Sequence, residues 1–362
     1  MAKTFFYGHD FGNAETDGVL MAGGQEIARS LPTAEAIAPS EKRARNLGVD
    51  LEAGNTVLFR MIQENTTYMI GEGAFTQSST ASTQRGNISR YSSSQSIRAL
   101  LANSAMMTRE NVYRLHVVTG VPVETYAEDD GIRQKIIDAL SGTYTFLVNG
   151  HDERTVEVIV ERVIAEGAGV IIGYGSSDKV LQGAIDCGGR TLDLYVSRGQ
   201  TPQIPMCKSF VLGVESAIDL LKNNYQAAYN APLSAADARA MLFAYTSAGR
   251  LPFPTLAARG VDVERHEQIH LAVEAIRVIG EQVASTVASA WSEGETTDQV
   301  ATSFKHIFFI GRGAKYFSPF IEKVIAPGQL KQVDDPGSAN AYGYASLARR
   351  LAMRSQGLVA AS

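Results

Sequence analysis

Two short acidic loops that contain glycine stand far apart in the chain, Asp10-Phe11-Gly12-Asn13-Ala14-Glu15-Thr16 and Asp186-Cys187-Gly188-Gly189-Arg190-Thr191-Leu192-Asp193. Each closes an apolar run, residues 4–9 and 179–185, and each leads into another, 18–21 and 192–196, as a strand–turn–strand hairpin does. Glycine lets such a turn adopt positive φ and bring its backbone N–H groups close to phosphate oxygens. An aspartate at each strand end suits Mg²⁺, a hard cation that prefers carboxylate and phosphate oxygens and keeps much of its water. The pair predicts Mg-nucleotide binding, with Asp10 and Asp186 facing the metal through water and two related half-domains gripping one nucleotide.

The elements that must position these loops read as α/β. Strands are expected at 56–61, 67–70, 114–119, 145–148 and 155–164, and helices at 97–107 and 129–140, the second with an acidic start that suits the helix dipole. The polar stretch 76–96, rich in Ser, Thr and Gln, reads as a loop. A boundary falls near Gly167-Ala168-Gly169 and the apolar run 170–174. Beyond it, after 203–210, the turn Leu212-Gly213-Val214-Glu215 opens a helix to residue 229, and further helices are expected at 235–244 and from 261 to about 291. In the last of these Ile269, Val273, Ile276, Val283 and Val287 form a stripe that should face the core. A strand at 306–310, the turn Gly311-Arg312-Gly313-Ala314, a helix at 318–325 and a terminal helix from about 339 to 353 complete the chain. The second half echoes the order of the first without a visible short sequence repeat.

A chain of 362 residues suits two domains. With 45% hydrophobic and 20% charged residues the composition is globular, and no apolar stretch approaches the ~20 residues of a membrane span. The N-terminus has no signal-peptide pattern, so a cytoplasmic protein is expected. Cys187 and Cys207 offer neither a disulfide framework nor metal-binding spacing. A net charge of −5 without a basic block argues against direct contact with nucleic acid, so any link to DNA goes through a partner. His266-Glu267-Gln268-Ile269-His270 has the H-E-x-x-H spacing of zinc proteases, but it lies in a long helix with Ile269 in the apolar stripe and no third ligand at a recognisable spacing.

With both acidic hairpins and the turn Phe308-Phe309-Ile310-Gly311-Arg312-Gly313-Ala314 in order, the chain resembles the actin superfamily, and within it the bacterial ParM-type actins, from about residue 5 to residue 350. The resemblance implies two α/β domains of the duplicated ribonuclease H-like type with a nucleotide cleft between them: 1–180, which receives the C-terminal helix 339–362, and 181–338. It implies phosphate contacts from Gly12, Asn13, Ala14 and Glu15 and from Gly188, Gly189, Arg190 and Thr191, with Asp10 and Asp186 as catalytic, metal-facing carboxylates. Val158-Ile159-Val160-Glu161 resembles the strand whose terminal glutamate positions the attacking water, which makes Glu161 the candidate catalytic residue. Gly311, Arg312, Gly313, Ala314 and Tyr316 are implied near the adenine, and Glu215 near the ribose. The chain departs from the family at Asp17, where a phosphate-reaching lysine is usual, and in having arginine at 190 and 312; Arg190 is expected to supply the missing charge.

The function implied is an ATPase, ATP or GTP with Mg²⁺ being its cofactors, that polymerises into nucleotide-dependent cytoskeletal filaments. Such filaments segregate plasmid DNA through a DNA-binding adaptor, or position other cargo. The segment Val118-Thr119-Gly120-Val121-Pro122-Val123-Glu124-Thr125-Tyr126 resembles ParM-type proteins and favours this over the alternative, a small-molecule kinase of the same superfamily in which Asp10 or Glu161 acts on an acceptor hydroxyl.

Overall fold

The computed structural model describes residues 2–13, 15–39, 55–77, 88–128, 130–247, 250–258, 260–292, 303–355 and 357. Ala14 and residues 78–87 of the polar stretch therefore lie outside the described residues. The chain forms two compact units, Met1–Ser177 with Gly337–Ser362, and Asp178–Pro336. No helix among the described residues is long and apolar enough to cross a membrane.

The first unit begins with strands β1 (Lys3–Asp10), β2 (Glu15–Ala22), β3 (Gln25–Pro32), β4 (Glu35–Ile37), β5 (Thr56–Met61) and β6 (Tyr68–Gly71). Helix α1 (Glu72–Gln77), a 3-10 turn (Ile88–Ser92), helix α2 (Ser94–Ala105) and strand β7 (Val112–Val121) follow. Helices α3 (Val123–Glu128) and α4 (Asp130–Leu140), strands β8 (Gly142–Val148) and β9 (Asp152–Ala165), and helix α5 (Ala168–Tyr174) complete this part. The strands form one sheet in the order β3-β2-β1-β7-β9-β8-β5-β6-β4, in which β1, β7 and β9 run parallel. Central parallel strands are covered on both faces, which is why β7 is buried without a break from Leu115 to Val121.

Residues 88–96, expected as loop, are instead the 3-10 turn and the start of α2. Ser93 caps that helix, its hydroxyl accepting from the Ser96 N–H at 3.2 Å, so the serine run serves a helix start. On α2, Arg98 makes a buried bidentate pair with Glu35 (2.8 and 2.6 Å) and lies 3.9 Å from the centre of the Tyr68 ring.

The second unit opens with β10 (Leu181–Cys187) and β11 (Leu192–Arg198), then β12 (Thr201–Pro202) and β13 (Lys208–Phe210). Helices α6 (Val214–Tyr229) and α7 (Ala235–Thr246), the short strands β14 (Ala257–Ala258) and β15 (Val261–Asp262), and the long helix α8 (Arg265–Trp291) follow. Strand β16 (His306–Ile310), helix α9 (Ala314–Val324) and strand β17 (Leu330–Lys331) end the unit. Its main sheet runs β12-β11-β10-β16-β17, with β13 on β11.

Two expectations change here. The long helix starts at Arg265, because Val261–Asp262 pairs with β14 as a strand. Its buried face is Ala272, Ala275, Ile276, Ile279, Val283 and Val287, whereas Val273 is 37% exposed and Ile269 only half-buried. His266 and His270 lie exposed on this helix. The Glu267 carboxylate accepts from the Glu264 N–H at 3.2 Å and closes the first turn as a capping box.

The last helix, α10 (Ala339–Ser355), packs against β1, β7 and α5 of the first unit. It can do so closely because both surfaces lack side chains at the crossing. A Cβ on Gly8 of β1 would meet the Ala341 carbonyl oxygen at 1.8 Å, and one on Gly343 would meet that of Gly169 at 1.7 Å. Any larger residue would force the helix off the sheet at Gly8 and off α5 at Gly343.

Candidate functional site

Asp10 ends β1 and sits opposite Asp17 of β2 across the first hairpin. The turn between them is tight: a Cβ on Gly12 would meet the Glu15 carbonyl oxygen at 2.3 Å. Buried polar groups brace it from beneath. The Thr16 hydroxyl donates to the Asp10 carbonyl (3.0 Å), so at its 2.8 Å contact with His9 it accepts from Nε2–H. The other ring nitrogen, Nδ1, must then accept from the Tyr7 hydroxyl at 2.9 Å. Burial lowers the His9 pKa from 6.5 to about 3 and keeps this ring neutral. The Thr33 hydroxyl holds the Asn13 carbonyl (3.0 Å), and half-buried Glu15 begins the return strand.

The second hairpin repeats this construction. Asp186 of β10 sits opposite Asp193 of β11, and the Gly188 N–H closes the turn on the Thr191 carbonyl at 2.9 Å, with Arg190 half-buried between them. Asp17 and Asp193 correspond, each lying across from a serine of the next strand, Ser30 and Ser209, whose hydroxyl donates to it. The seven-residue step from Asp10 to Asp17 recurs from Asp186 to Asp193, with Gly12 and Gly188 in the same place. A short repeat is therefore present after all, carried by so few identities that pattern reading passes over it. Asp17 is thus a buried member of the hairpin scaffold, turned to Ser30.

Around the second hairpin the backbone is closely knit. The Gly188 and Gly189 carbonyls accept from the Val214 and Glu215 N–H groups (3.2 and 2.7 Å), and so occupy the first amides of α6. Glu215 accepts from Arg239 Nη2 at 2.6 Å. Gly311, at φ +77°, brings its backbone against Asp186, where a Cβ would meet Oδ1 at 2.5 Å. The Gly313 N–H donates to the Cys187 carbonyl (2.7 Å), while half-buried Arg312 offers its carbonyl to Lys315 and Ala314 starts α9. Burial, reinforced by Asp186 and Asp193, pushes the Cys187 thiol well above its ordinary value. Tyr316 is only 9% exposed and packs in the core of the second unit.

Glu161 does not end its strand. Strand β9 continues to Ala165, and Glu161 is the extra residue of a β-bulge, since Val117 pairs with Val160 and Val118 with Arg162. Its carboxylate meets His116 Nδ1 at 2.6 Å. The glutamate at the strand end is Glu166, whose N–H donates to the Val121 carbonyl at 2.8 Å. Asn340 of α10 secures the turn that follows, its side-chain oxygen accepting from the Gly167 and Val170 N–H groups (3.2 and 3.4 Å). Glu166 Oε1 accepts from the Tyr91 hydroxyl at 3.2 Å; that hydroxyl accepts from Arg90 Nη2 at 2.6 Å, and Arg90 Nη1 donates to Asn13 Oδ1. Burial works to lower the Arg90 pKa, but Tyr91, Glu166 and Asp10 outweigh it and hold the guanidinium above its ordinary value.

The first unit therefore gathers Asp10, Gly12, Asn13, Glu166, Tyr91 and Arg90 at the carboxyl ends of its parallel strands, where open α/β sheets bind ligands. The second unit gathers Asp186, Gly188, Gly189, the Glu215 amide, Gly311 and Gly313. Glu161 and Tyr316 belong to neither group. Sequence reading missed Glu166, Tyr91 and Arg90. A glutamate followed by Gly167-Ala168-Gly169 after a long apolar run was a usable signal for Glu166. Arg90, in a serine-rich stretch, carried none.

Residues 8–169 match the family model for the N-terminal domain of actin-like proteins. No curated protein matches the sequence. Among solved structures, the chain is similar to the archaeal actin homolog Ta0583 in complex with ADP, at 17% identity and a TM-score of 0.71 over 95% of this chain and 99% of that one. It is similar to a ParM from a 15-stranded filament of Clostridium botulinum, at 17% identity and a TM-score of 0.74 over 97% and 100% of the two chains. It is also similar to the apo pSK41 ParM protein, at 14% identity and a TM-score of 0.68 over 98% and 100%. The chain has the actin-like fold expected from its motifs. Residues 8–169 thus resemble the N-terminal domain of actin-like proteins, and the fold has counterparts among ParM proteins and an archaeal actin homolog.

Proposed function

We propose that the chain binds ATP with Mg²⁺ through the hairpins at Asp10 and Asp186, hydrolyses it, and assembles into filaments according to its nucleotide state. The observation that carries this reading is the repeated hairpin, which in each unit sets a carboxylate beside a glycine turn, at Gly12 and at Gly188; Gly12 leaves no room for a side chain, and in the second unit Gly311, from the turn after β16, leaves none against Asp186. Further support comes from the relatives, one solved with ADP and another as a filament. Among the described residues no group of three or more His, Cys, Asp or Glu could hold a metal. Two carboxylates and a nucleotide suit Mg²⁺, which keeps most of its waters and shares phosphate oxygens. Asp10 and Asp186 would hold it, and bound Mg²⁺ would neutralise charge on the phosphates.

Glu166 takes the part expected of Glu161. A carboxylate at the strand end, restrained by Tyr91, can orient a water for attack on the terminal phosphorus and accept its proton as the bond to the leaving diphosphate breaks. Hydrolysis then weakens contacts between successive subunits, which add head to tail. Movement of plasmid DNA through an adaptor, or positioning of other cargo in the cytoplasm, is the cellular role proposed.

The test is light scattering with simultaneous phosphate release on Mg-ATP, Mg-GTP and a non-hydrolysable analogue, for wild type, Glu166→Gln and Glu161→Gln. Scattering that needs nucleotide, with phosphate release lowered about 10²- to 10⁴-fold in Glu166→Gln and kept in Glu161→Gln, supports the reading. Phosphate release only in the presence of an added metabolite, without scattering, overturns it in favour of a kinase.

A further inference from the structure

The first hairpin lacks a cation of its own. Residues 10–17 contain Asp10, Glu15 and Asp17 and no lysine or arginine, so a polyphosphate arriving there meets carboxylates. Such an arrangement is repulsive unless a fixed positive charge stands close by.

We infer that Arg90 is that charge, a phosphate-reading cation for the first hairpin, and that Tyr91 carries its position to Glu166. The inference rests on the nucleotide-hydrolysing reading above.

Arg90 reaches the hairpin tip through Asn13 Oδ1, and its guanidinium carbon lies 4.5 Å from the centre of the Tyr91 ring. Stacking on an aromatic ring and a hydrogen bond to an amide hold the planar group in one orientation while leaving its charge intact. The side chain is partly exposed, so a ligand can reach it. The direction of each hydrogen bond follows from the groups involved. A guanidinium can only donate, so at 2.6 Å the Tyr91 hydroxyl is the acceptor. Its own proton then points to Glu166 Oε1, 3.2 Å away. Tyr91 is 1% exposed, which leaves it little freedom to choose other partners. Arginine, tyrosine and glutamate thus form one line from the hairpin tip to the carboxylate that orients water. A phosphate that draws Arg90 toward itself changes the bond that Tyr91 can give Glu166. Nucleotide occupancy is thereby linked to the readiness of the catalytic carboxylate.

The experiment measures Mg-ATP affinity and single-turnover hydrolysis for wild type, Arg90→Ala, Arg90→Lys and Tyr91→Phe. Loss of a charge-assisted phosphate contact should weaken Mg-ATP binding about 10- to 100-fold in Arg90→Ala. Arg90→Lys, which keeps the charge without the fork, should fall between the two and carries the test if the alanine variant does not fold. Tyr91→Phe should leave KM near that of wild type, lower kcat about tenfold and displace the acidic limb of the pH–rate profile, which a merely structural role would not move. If wild type itself binds no Mg-ATP, the nucleotide reading falls and takes this inference with it. If wild type binds while Arg90→Ala binds within about twofold, the Arg90 assignment alone is overturned. An unmoved pH profile in Tyr91→Phe overturns the link to Glu166.

Discussion

Replacing Asn340 by alanine tests whether the C-terminal helix fixes the strand end that carries Glu166. Asn340 is 2% exposed, and its side-chain oxygen accepts from two backbone amides, those of Gly167 and Val170, at the start of α5. Gly167 stands at the N-cap of α5 with φ 83°, and as a glycine it has no side chain with which to cap the helix itself. Each buried amide left without an acceptor costs about 1–3 kcal/mol, and a helix cap lost to alanine costs about 1 kcal/mol. The lower part of both ranges gives about 2 kcal/mol for the pair. At about 1.4 kcal/mol per tenfold, the Gly167 and Val170 amides should exchange with solvent about 30-fold faster. Amide hydrogen exchange resolved at these two residues is the assay, with Asn340→Asp, which keeps an acceptor, as the control expected to retain most protection. If Glu166 orients the attacking water as proposed, kcat for ATP hydrolysis should fall alongside protection, because Glu166 adjoins Gly167, with KM little changed. Exchange at both amides within about threefold of wild type would refute the reasoning.

Two further outcomes follow from buried titratable groups. His9 has a folded pKa of about 3 against 6.5 for the free side chain, so the unfolded chain takes up the proton first. Stability from this residue is complete above pH 6.5 and is lost as pH falls towards 3, by about 1.4 kcal/mol per pH unit. Urea unfolding of His9→Asn across that range should show a flatter pH dependence than wild type, and an equal slope would count against a neutral buried ring. Breaking the buried Arg98–Glu35 pair with Arg98→Ala should cost about 3–5 kcal/mol. The exposed pairs of Arg277 with Glu274 and Glu281, screened by water, should contribute far less. Comparable losses in Arg98→Ala and Arg277→Ala by denaturant unfolding would contradict this ranking.

The recognition of an actin-like fold rested on hairpins and turns whose parts are contiguous in the chain. A turn of seven residues contains its own geometry, so Asp10, Gly12, Asp186 and Gly188 could be placed at strand ends from local pattern alone. Helices such as Asp130–Leu140 and Val214–Tyr229 were legible for a similar reason, since periodicity and end residues act within a few turns. The limits of the strands were less so. The far end of β9, expected at 164, falls at Ala165, but the bulge at Glu161 depends on its pairing with β7 and leaves no mark in the apolar pattern.

The amino-acid sequence by itself determined the local chemistry: two acidic glycine turns, an α/β order of elements, and the lack of a basic block or of an apolar stretch of membrane-spanning length. Only the tertiary structure decided which side chains share that chemistry. It turned Tyr316 into the core, paired Glu161 with His116, and joined Arg90, Tyr91, Asn13 and Glu166 into one line. It also brought Asn340 to an amide 173 residues away. The physical reason is that hydrogen bonds and desolvation act over a few ångströms of space, and the sequence distance between such partners is set by how the chain packs.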